Sequence, residues 1–283
     1  MRPKKIVLTG ALGTLGSALR EPLSRMCDEL VSVDLKDPPE CLPNETYLRA
    51  DCAVMAEIAP VLTGAEIVVH FAAIPDERPF EVLLGPNFVA AYNVWEATHR
   101  AGARRVVYAS SVHAIGMWDT NAGIGTDALH RPDTFYGLSK CFAEDLGRMY
   151  WEKRGLEAVC LRIFSATERP ENVRALGTWL SRADLVRLVS RAVDTPVTGF
   201  AVVYGISNNT RSPVSNERAS FLGYRPQDDA EAYAEEVLAQ AATPDPSNPG
   251  QARLGGPFAV VPLGESGVAG MKALIDPDAP SEP

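Results

Sequence analysis

A tyrosine and a lysine four residues apart are the side chains of this sequence best placed to move a proton together. Of the eight tyrosines, only Tyr136 has a lysine, Lys140, at that spacing, which puts both side chains on one face of a helix. A phenol has an ordinary pKa of about 10, and a neighbouring ammonium group favours the phenolate. The pair therefore predicts a general base that takes a proton from a hydroxyl group.

Ser111 is the third member of this candidate catalytic set. It closes an apolar run upstream of Tyr136, where its hydroxyl can orient a substrate oxygen and stabilise charge that develops there. Ser110 competes for this role. Because adjacent side chains of a strand point to opposite faces, only one of the two serines can face the Tyr–Lys pair.

A glycine pattern near the start of the chain has the spacing of a dinucleotide-binding turn. Gly10, Gly13 and Gly16 follow a first apolar run and open a helix-like segment. Glycines there permit a tight turn, let the backbone approach a pyrophosphate, and let the helix pack closely on the strand. The pattern predicts a bound dinucleotide, which the same turn would also contact through Leu12, Thr14 and Leu15.

Asp34 decides which dinucleotide is expected. It ends the second apolar run, about 20 residues beyond the glycines, where a carboxylate accepts hydrogen bonds from the ribose and repels a 2′-phosphate. The sequence therefore predicts NAD rather than NADP. Further cofactor contacts are expected from Tyr136, Lys140, Asp51, Cys52, Phe71, Ala72, Ala73 and Ile163. His70 lies inside an apolar run and is expected in the core rather than at a ligand.

Short apolar runs alternate with helix-like segments over the first part of the chain. Strands are expected at 6–9, 30–34, 47–51, 66–71, 105–110 and 156–163. This alternation is typical of right-handed βαβ units, and continuous apolar runs suit strands that are covered on both faces. The sequence therefore predicts an α/β fold, a Rossmann-type doubly wound parallel sheet with a small C-terminal substrate lobe.

The domain organisation follows from where this pattern loosens. Residues 1–164 are expected to form the NAD-binding domain. Residues 165–262 are expected to form the small substrate-binding lobe, with a helix at 182–194, a strand at 200–204 and a helix at 229–240. Residues 263–283 are expected to form a partly disordered tail, because the last residues are rich in Pro and polar side chains.

The helix that carries the Tyr–Lys pair is expected over residues 135–154. Small residues, Ala143 and Gly147, continue the Tyr–Lys face, which suits a face that lies against a cofactor. A second stripe is expected to fill the core and consists of Leu138, Phe142, Leu146 and Met149.

Composition excludes several classes of function. The net charge of −9 and the lack of a basic stripe argue against binding of nucleic acid or of an anionic membrane. The five cysteines form no C-x-x-C pair and stand apart from histidines, which argues against a disulfide framework and against a metal site. The chain enters a strand-like run at residue 6, and no apolar run approaches membrane-spanning length. We expect a soluble cytoplasmic protein and a homo-oligomer.

These motifs together resemble the extended short-chain dehydrogenase/reductase family. Within that family the sequence is similar to the bacterial uronate dehydrogenases from the first strand to about Phe258. The closer similarity lies in the segments 108–116, 136–142 and 178–179, with Arg174 upstream of the last.

The resemblance implies a reaction and a substrate. Uronate dehydrogenases oxidise C1 of glucuronate or galacturonate to the aldarolactone and reduce NAD. By resemblance, Tyr136 is the base, Ser111 binds the same substrate oxygen, and Arg174 binds the C6 carboxylate through charge-assisted hydrogen bonds. The positions that match the substrate contacts of that family are Pro75, Ser111, Val112, His113, Tyr136, Ser165 and Arg174.

Two positions depart from the family pattern. The family has Ser at the position of Pro75 and Asn at that of Val112, so both changes remove hydrogen-bonding groups. A site that lacks such groups recognises the corresponding sugar hydroxyls less well. A different acidic sugar or aldose, for example a C6-sulfonated sugar, therefore stays open as the substrate.

Two other classes of function also stay open. A nucleotide-sugar epimerase or dehydratase shares the glycine motif and the Tyr–Lys pair, although the region after Ser165 is small for a nucleotide diphosphate. A protein that binds NAD without catalysis would keep the same fold.

Overall fold

A seven-stranded parallel sheet forms the centre of the molecule, seen in a computed structural model that describes residues 2–37, 40–241 and 248–268. Its strands are β1 (Lys5–Thr9), β2 (Glu29–Asp34), β3 (Glu45–Arg49), β4 (Ile67–His70), β5 (Arg105–Ser111), β7 (Glu157–Ile163) and β8 (Phe200–Gly205). They pair in the order β3-β2-β1-β4-β5-β7-β8. The chain thus winds outward from β1 in both directions, and the predicted doubly wound fold is confirmed.

Helices cover both faces of the sheet. They are α1 (Gly16–Met26), α2 (Met55–Leu62), α3 (Phe80–Leu83), α4 (Ala90–Arg100), α5 (Phe135–Arg154), α6 (Ala175–Thr178), α7 (Arg182–Asp194), α8 (Ala234–Gln240) and α9 (Pro249–Ala252). A π-helix spans Leu84–Val89, and 3-10 helices span Val112–Ile115, Glu217–Leu222, Ala230–Tyr233 and Gly256–Ala259. A second, two-stranded sheet pairs β6 (Ile124–Gly125) with β9 (Val214–Ser215).

Two apolar cores hold these layers together. One packs side chains of α1 and α7 against the sheet, and the other packs those of α2, α4 and α5 against the opposite face. The expected strand 200–204 pairs with β7, and the helix 182–194 fills the first core. The division into residues 1–164 and 165–262 stays a prediction. In the described part of the chain no helix is long and apolar enough to cross a membrane.

Several expected boundaries differ in the structure, among them those of the third strand, the fourth strand and the helix at 229–240. The third strand ends at Arg49, because the Asp51 carboxylate accepts the Ala53 N–H at 2.8 Å and starts the turn into α2. The fourth strand ends at His70. The expected helix at 229–240 begins as a 3-10 turn, and only its part from Ala234 is α-helical.

Helix α5 has the expected ends but buries the opposite face. Leu138, Phe142 and Met149 are 42%, 37% and 49% exposed, so their predicted place in the core is wrong. Leu146, the fourth residue of that stripe, is 8% exposed and lies in the core as predicted. The Tyr–Lys face is the buried one. A Cβ on Gly147 would stand 3.2 Å from the Ala158 side chain, so the small residues let α5 lie close to β7.

The C-terminal residues that the structure describes fold back onto the body of the protein. Gly264 N–H donates to Glu77 Oε1 at 2.9 Å, and Val268 N–H donates to Asp76 Oδ1 at 3.1 Å. The tail was expected from residue 263, and its first six residues are therefore placed against the molecule. The disorder expected for 276–283 concerns residues outside the described ranges.

Candidate active site

A cavity of about 730 Å³ opens where the central strands end. It runs from the glycine turn after β1 to Arg174, past the residues that follow β4, β5 and β7. Ligands of doubly wound sheets bind at this edge, where the direction of winding changes. The volume suits a cofactor and a small substrate side by side.

Every site residue expected from the sequence lines this cavity except Leu12. The backbone N–H of Leu12 donates to Asp34 Oδ2 at 2.9 Å. Residues that the sequence did not single out also line the cavity, among them Gly255, Phe258 and Val268. They come from the C-terminal segment, where a phenylalanine within a Gly- and Pro-rich stretch was the only signal.

The cofactor end is shaped by close backbone packing. Gly10 has φ +70°, and a Cβ there would stand 2.5 Å from Ala72 N. A Cβ on Gly16 would stand 2.0 Å from the Gly10 carbonyl oxygen. The first turn of α1 holds no acidic residue, which suits a helix N-terminus that faces a pyrophosphate. These features fit a dinucleotide, and Asp34 lines the same end of the cavity.

The Tyr–Lys pair and Ser111 meet in the middle of the cavity. Thr134 caps α5 by accepting the Gly137 N–H at 3.0 Å, which fixes the turn that carries Tyr136. Lys140 Nζ lies 5.3 Å from the centre of the Tyr136 ring and donates to the Ala109 carbonyl at 2.8 Å. The three residues expected to act together are thus brought together.

The two adjacent serines have different partners on α5. The Ser111 hydroxyl hydrogen-bonds to the Tyr136 side chain. The Ser110 hydroxyl donates to Glu144 Oε1 at 2.5 Å, two helical turns further along α5. Buried Glu144 also pairs with Arg162 at 2.8 Å and contacts His130 at 2.9 Å. Ser110 therefore belongs to a buried ionic network rather than to the Tyr–Lys pair.

Burial dominates the electrostatics of the pair. It raises the pKa of Tyr136 to about 12, against the lowering effect of the Ser111 hydrogen bond. It lowers the pKa of Lys140 to about 7, against the raising effect of Glu144. The expectation that the ammonium group makes this phenol acidic is wrong for the protein alone. Burial destabilises the phenolate by more free energy than the neighbouring groups restore.

Arg174 marks the substrate end of the cavity. Its Nη1 donates to Ser165 Oγ at 2.9 Å and its Nη2 to the Leu254 carbonyl. Its Nε is buried, and no described residue pairs with it. Burial lowers the pKa of the guanidinium to about 10, so it stays charged at neutral pH. A buried cation with an unused N–H beside a cavity is suited to bind an anion.

The remaining walls are partly apolar. Pro75 lines the cavity, and Val112 lies in an apolar cluster with Ile115 and Phe164. His113 stacks on Phe258, with ring centres 4.0 Å apart. His70, expected in the core, is 1% exposed and contacts Thr9 Oγ1 at 2.7 Å. In the described part of the chain, no cluster of three or more His, Cys, Asp or Glu side chains suits a metal ion.

Sequence and structure comparisons agree with this geometry. The NAD dependent epimerase/dehydratase family model matches residues 6–198. The uronate dehydrogenase of Pseudomonas putida is 39% identical over 257 residues, which cover 90% of this chain and 96% of the relative. That of Agrobacterium fabrum is 38% identical over 260 residues, which cover 92% and 98%. The crystal structure of a uronate dehydrogenase mutant from Agrobacterium tumefaciens, complexed with NAD, is 38% identical and gives a TM-score of 0.88 over 92% of this chain and 98% of that chain.

Proposed function

Because the chain belongs to the NAD-dependent epimerase/dehydratase family of extended short-chain dehydrogenases, we propose that it oxidises C1 of a uronic acid with NAD. The substrate is glucuronate or galacturonate, and the product is the aldarolactone. One observation carries the choice of substrate: the buried guanidinium of Arg174 lies in the same cavity as Ser111 and Tyr136.

The cofactor is held by the first half of the chain. The glycine turn would bind the pyrophosphate, Asp34 would accept hydrogen bonds from the ribose hydroxyls, and Lys140 would bind the ribose next to the nicotinamide. NAD⁺, when bound, would supply a positively charged acceptor for the hydride that leaves C1. The cofactor residues lie within 1–164, whereas Ser165 and Arg174 come from the following part. This distribution supports the proposed division into a cofactor domain and a substrate lobe.

Tyr136 and Ser111 act on the hydroxyl that is oxidised. The phenolate takes the proton of the anomeric hydroxyl while C1 gives up its hydrogen with two electrons, so the C1–O bond becomes a carbonyl. Ser111, hydrogen-bonded to Tyr136, donates to the same oxygen and holds it in place. Lys140 can favour the phenolate only while it is protonated, and its pKa of about 7 puts that charge state within reach near neutral pH.

Arg174 orients the sugar for this step. Ser165 and the Leu254 carbonyl fix two of its nitrogens, so the guanidinium need not be ordered when an anion binds. The C6 carboxylate then lies at the substrate end of the cavity and C1 beside Tyr136 in its middle. Binding energy from the far end of the substrate thereby positions the reacting end.

A C6-sulfonated sugar is the second candidate substrate. It would meet the same guanidinium, and the apolar side chains of Pro75 and Val112 reduce the hydrogen bonding available to ring hydroxyls. The test is to measure NADH formation with glucuronate, galacturonate, a sulfonated aldose, neutral aldoses and nucleotide sugars. Stoichiometric NADH with a free uronate supports the proposal. Activity confined to nucleotide sugars, without net NADH, would instead indicate an epimerase.

We also propose that the enzyme is a homo-oligomer. The exposed apolar side chains of Leu138, Phe142 and Met149 lie on α5, and Val89 at the end of the π-helix and Tyr92 on α4 are also exposed. Phe142 contacts Phe88 with ring centres 5.4 Å apart, which joins the two patches. Apolar surfaces of this kind are commonly covered by another chain. Sedimentation of wild type and of Phe142→Glu tests this, and a monomeric wild type would refute it.

A reducing cytoplasm is the compartment proposed for this enzyme. The chain has five cysteines, and within the described residues none of them forms a disulfide. Four are buried. This arrangement suits a compartment that keeps thiols reduced, and cell fractionation would test it.

A further inference from the structure

Asp133 is a buried carboxylate beside the substrate end of the cavity that the mechanism above does not use. Its side chain is fully buried, and its Oδ2 lies 2.8 Å from His113 Nδ1. Its Oδ1 accepts the Thr134 hydroxyl at 2.9 Å. A buried carboxylate lowers the stability of the fold unless it is hydrogen-bonded, and this one has a hydrogen-bond partner on each oxygen.

Glycines from separate segments make room for this carboxylate. A Cβ on Gly116 would stand 1.8 Å from Asp133 Oδ2, and a Cβ on Gly255 would stand 1.9 Å from the same oxygen. On a third side, a Cβ on Gly137 would stand 3.0 Å from Oδ1. The carboxylate is therefore fixed in position by backbone that approaches it closely.

His113 is held as firmly as its partner. One face of its ring stacks on Phe258 at 4.0 Å with an interplanar angle of 26°, and the ring meets Tyr136 edge-on at 5.6 Å. The side chain is 13% exposed and lines the cavity. Nδ1 is hydrogen-bonded to Asp133, and Nε2 makes no hydrogen bond with the described residues. Nε2 is thus the ring nitrogen that can hydrogen-bond to a substrate.

The partner of Nδ1 decides what Nε2 can do. A carboxylate only accepts hydrogen bonds, so Nδ1 must carry the proton, and Nε2 of the neutral ring is then an acceptor. Arg174 offers donors only, and Pro75 and Val112 offer no side-chain hydrogen bond. An acceptor at Nε2 therefore complements a sugar hydroxyl that has a proton to donate.

We propose that Asp133 is a specificity-determining positioning residue, which fixes the tautomer of His113 so that Nε2 accepts a hydrogen bond from one ring hydroxyl of the uronic acid. This inference rests on the proposed function. It narrows the substrate class to uronic acids in which that hydroxyl is free, and it disfavours those in which it is missing or O-methylated. The negative charge of Asp133 also acts on Arg174, whose pKa it raises against the effect of burial, so the carboxylate supports both polar groups of the substrate end.

The first experiment reads the tautomer directly and does not depend on activity. The chain has four histidines, so ¹⁵N NMR of histidine-labelled protein resolves few signals, and His113→Gln assigns the one of interest. We expect Nδ1 to be protonated and Nε2 to have the shift of an unprotonated nitrogen at a pH where the ring is neutral. A proton on Nε2 in the neutral ring would overturn the proposal.

The second experiment reads selectivity. Asp133→Asn keeps the size of the side chain but can donate to Nδ1, which releases the tautomer and lets Nε2 become a donor. Wild type and variant are compared on uronates that lack, or carry a methyl group on, one ring hydroxyl at a time. For wild type we expect one position at which the loss of the hydroxyl lowers kcat/KM about 10- to 100-fold. In Asp133→Asn this discrimination should shrink several-fold at that position and stay unchanged at the others.

Controls separate this role from a merely structural one. Asp127→Asn removes a carboxylate that is 58% exposed and paired with Arg218, and it should leave the selectivity unchanged. His113→Gln should lose the same discrimination as Asp133→Asn, and the double variant should lose no more. Equal losses of Asp133→Asn on every analogue, or wild-type selectivity in it, would overturn the inference. A wild type that oxidises no uronate would refute the proposed function, while the tautomer measurement would still decide the state of His113.

Discussion

Replacement of Arg174 by alanine is the sharpest test of how the substrate is recognised. The change removes a buried guanidinium whose Nη1 and Nη2 are bound to Ser165 Oγ and the Leu254 carbonyl, and whose Nε has no partner among the described residues. We expect the loss to fall on acidic sugars, because only they carry the carboxylate that this cation meets.

The structure sets the size of the effect. Truncation of one partner of a buried, hydrogen-bonded ion pair costs about 2–5 kcal/mol. Two of the nitrogens already serve the protein, so we expect the lower part of this range, about 2–3.5 kcal/mol, which is roughly a 30- to 400-fold drop in kcat/KM. Arg174→Lys keeps the charge but cannot form the fork, and it should lie between wild type and alanine.

The assay compares glucuronate with a neutral aldose by NADH formation. In Arg174→Ala the ratio of kcat/KM between the two sugars should fall by the full factor, while the value for the neutral aldose stays near that of wild type. Thermal unfolding of the variant controls for the lost bond to Leu254. If both sugars lost activity by the same factor, the guanidinium would be a structural group and the substrate assignment would be refuted.

Three further predictions concern the cofactor and the Tyr–Lys pair. Tyr136→Phe removes the general base and should lower kcat about 10²- to 10⁴-fold with little change in NAD affinity measured by fluorescence titration; a collapse of NAD binding would contradict its role. Lys140→Met tests the lowered pKa of Lys140, about 7 in the fold against about 10.4 in an unfolded chain. Between these values the unfolded state holds the extra proton, so the free energy of unfolding of wild type should rise with pH relative to the variant by up to about 5 kcal/mol. If urea unfolding gave wild type and variant the same dependence of the free energy of unfolding on pH, the lowered pKa of Lys140 would be excluded. Asp34→Ala should weaken the binding of NAD more than that of NADP, because NAD loses the hydrogen bonds of its ribose to the carboxylate, whereas NADP is also freed from repulsion of its 2′-phosphate. An unchanged ratio of kcat/KM for the two cofactors would show that Asp34 does not select between them.

The cofactor half of the site could be predicted from the sequence because its geometry is local. The spacing of Gly10, Gly13 and Gly16 after a strand leaves few backbone arrangements, and the cavity lies at that turn. Helix α5 begins and ends at the expected residues. The residues at the ends of the parallel strands gather at one edge of the sheet, which the order of strands and helices along the chain already implies.

The orientation of α5 could not be predicted in the same way. Both of its stripes have apolar members, and the sequence favoured the larger side chains for the core. The structure buries Tyr136 and Lys140 instead and exposes Phe142. Which face meets the sheet depends on how closely α5 approaches α4 and β7, and the absence of a side chain at Gly147 permits an approach that bulky residues would prevent.

The contacts among the residues at the substrate end of the cavity could not be predicted from the sequence either. His113 and Asp133 are 20 residues apart, and Phe258 joins them from the C-terminal segment.

The sequence by itself determined the residue types that carry the chemistry, the spacing of the glycine turn, and the succession of strands and helices. Only the tertiary structure decided the charge states and the partners. It raises the pKa of Tyr136, it lowers that of Lys140, and it places Asp133 against His113. The physical reason is that spacing acts through the local backbone, whereas loss of water and contact between distant segments depend on everything that packs around a side chain.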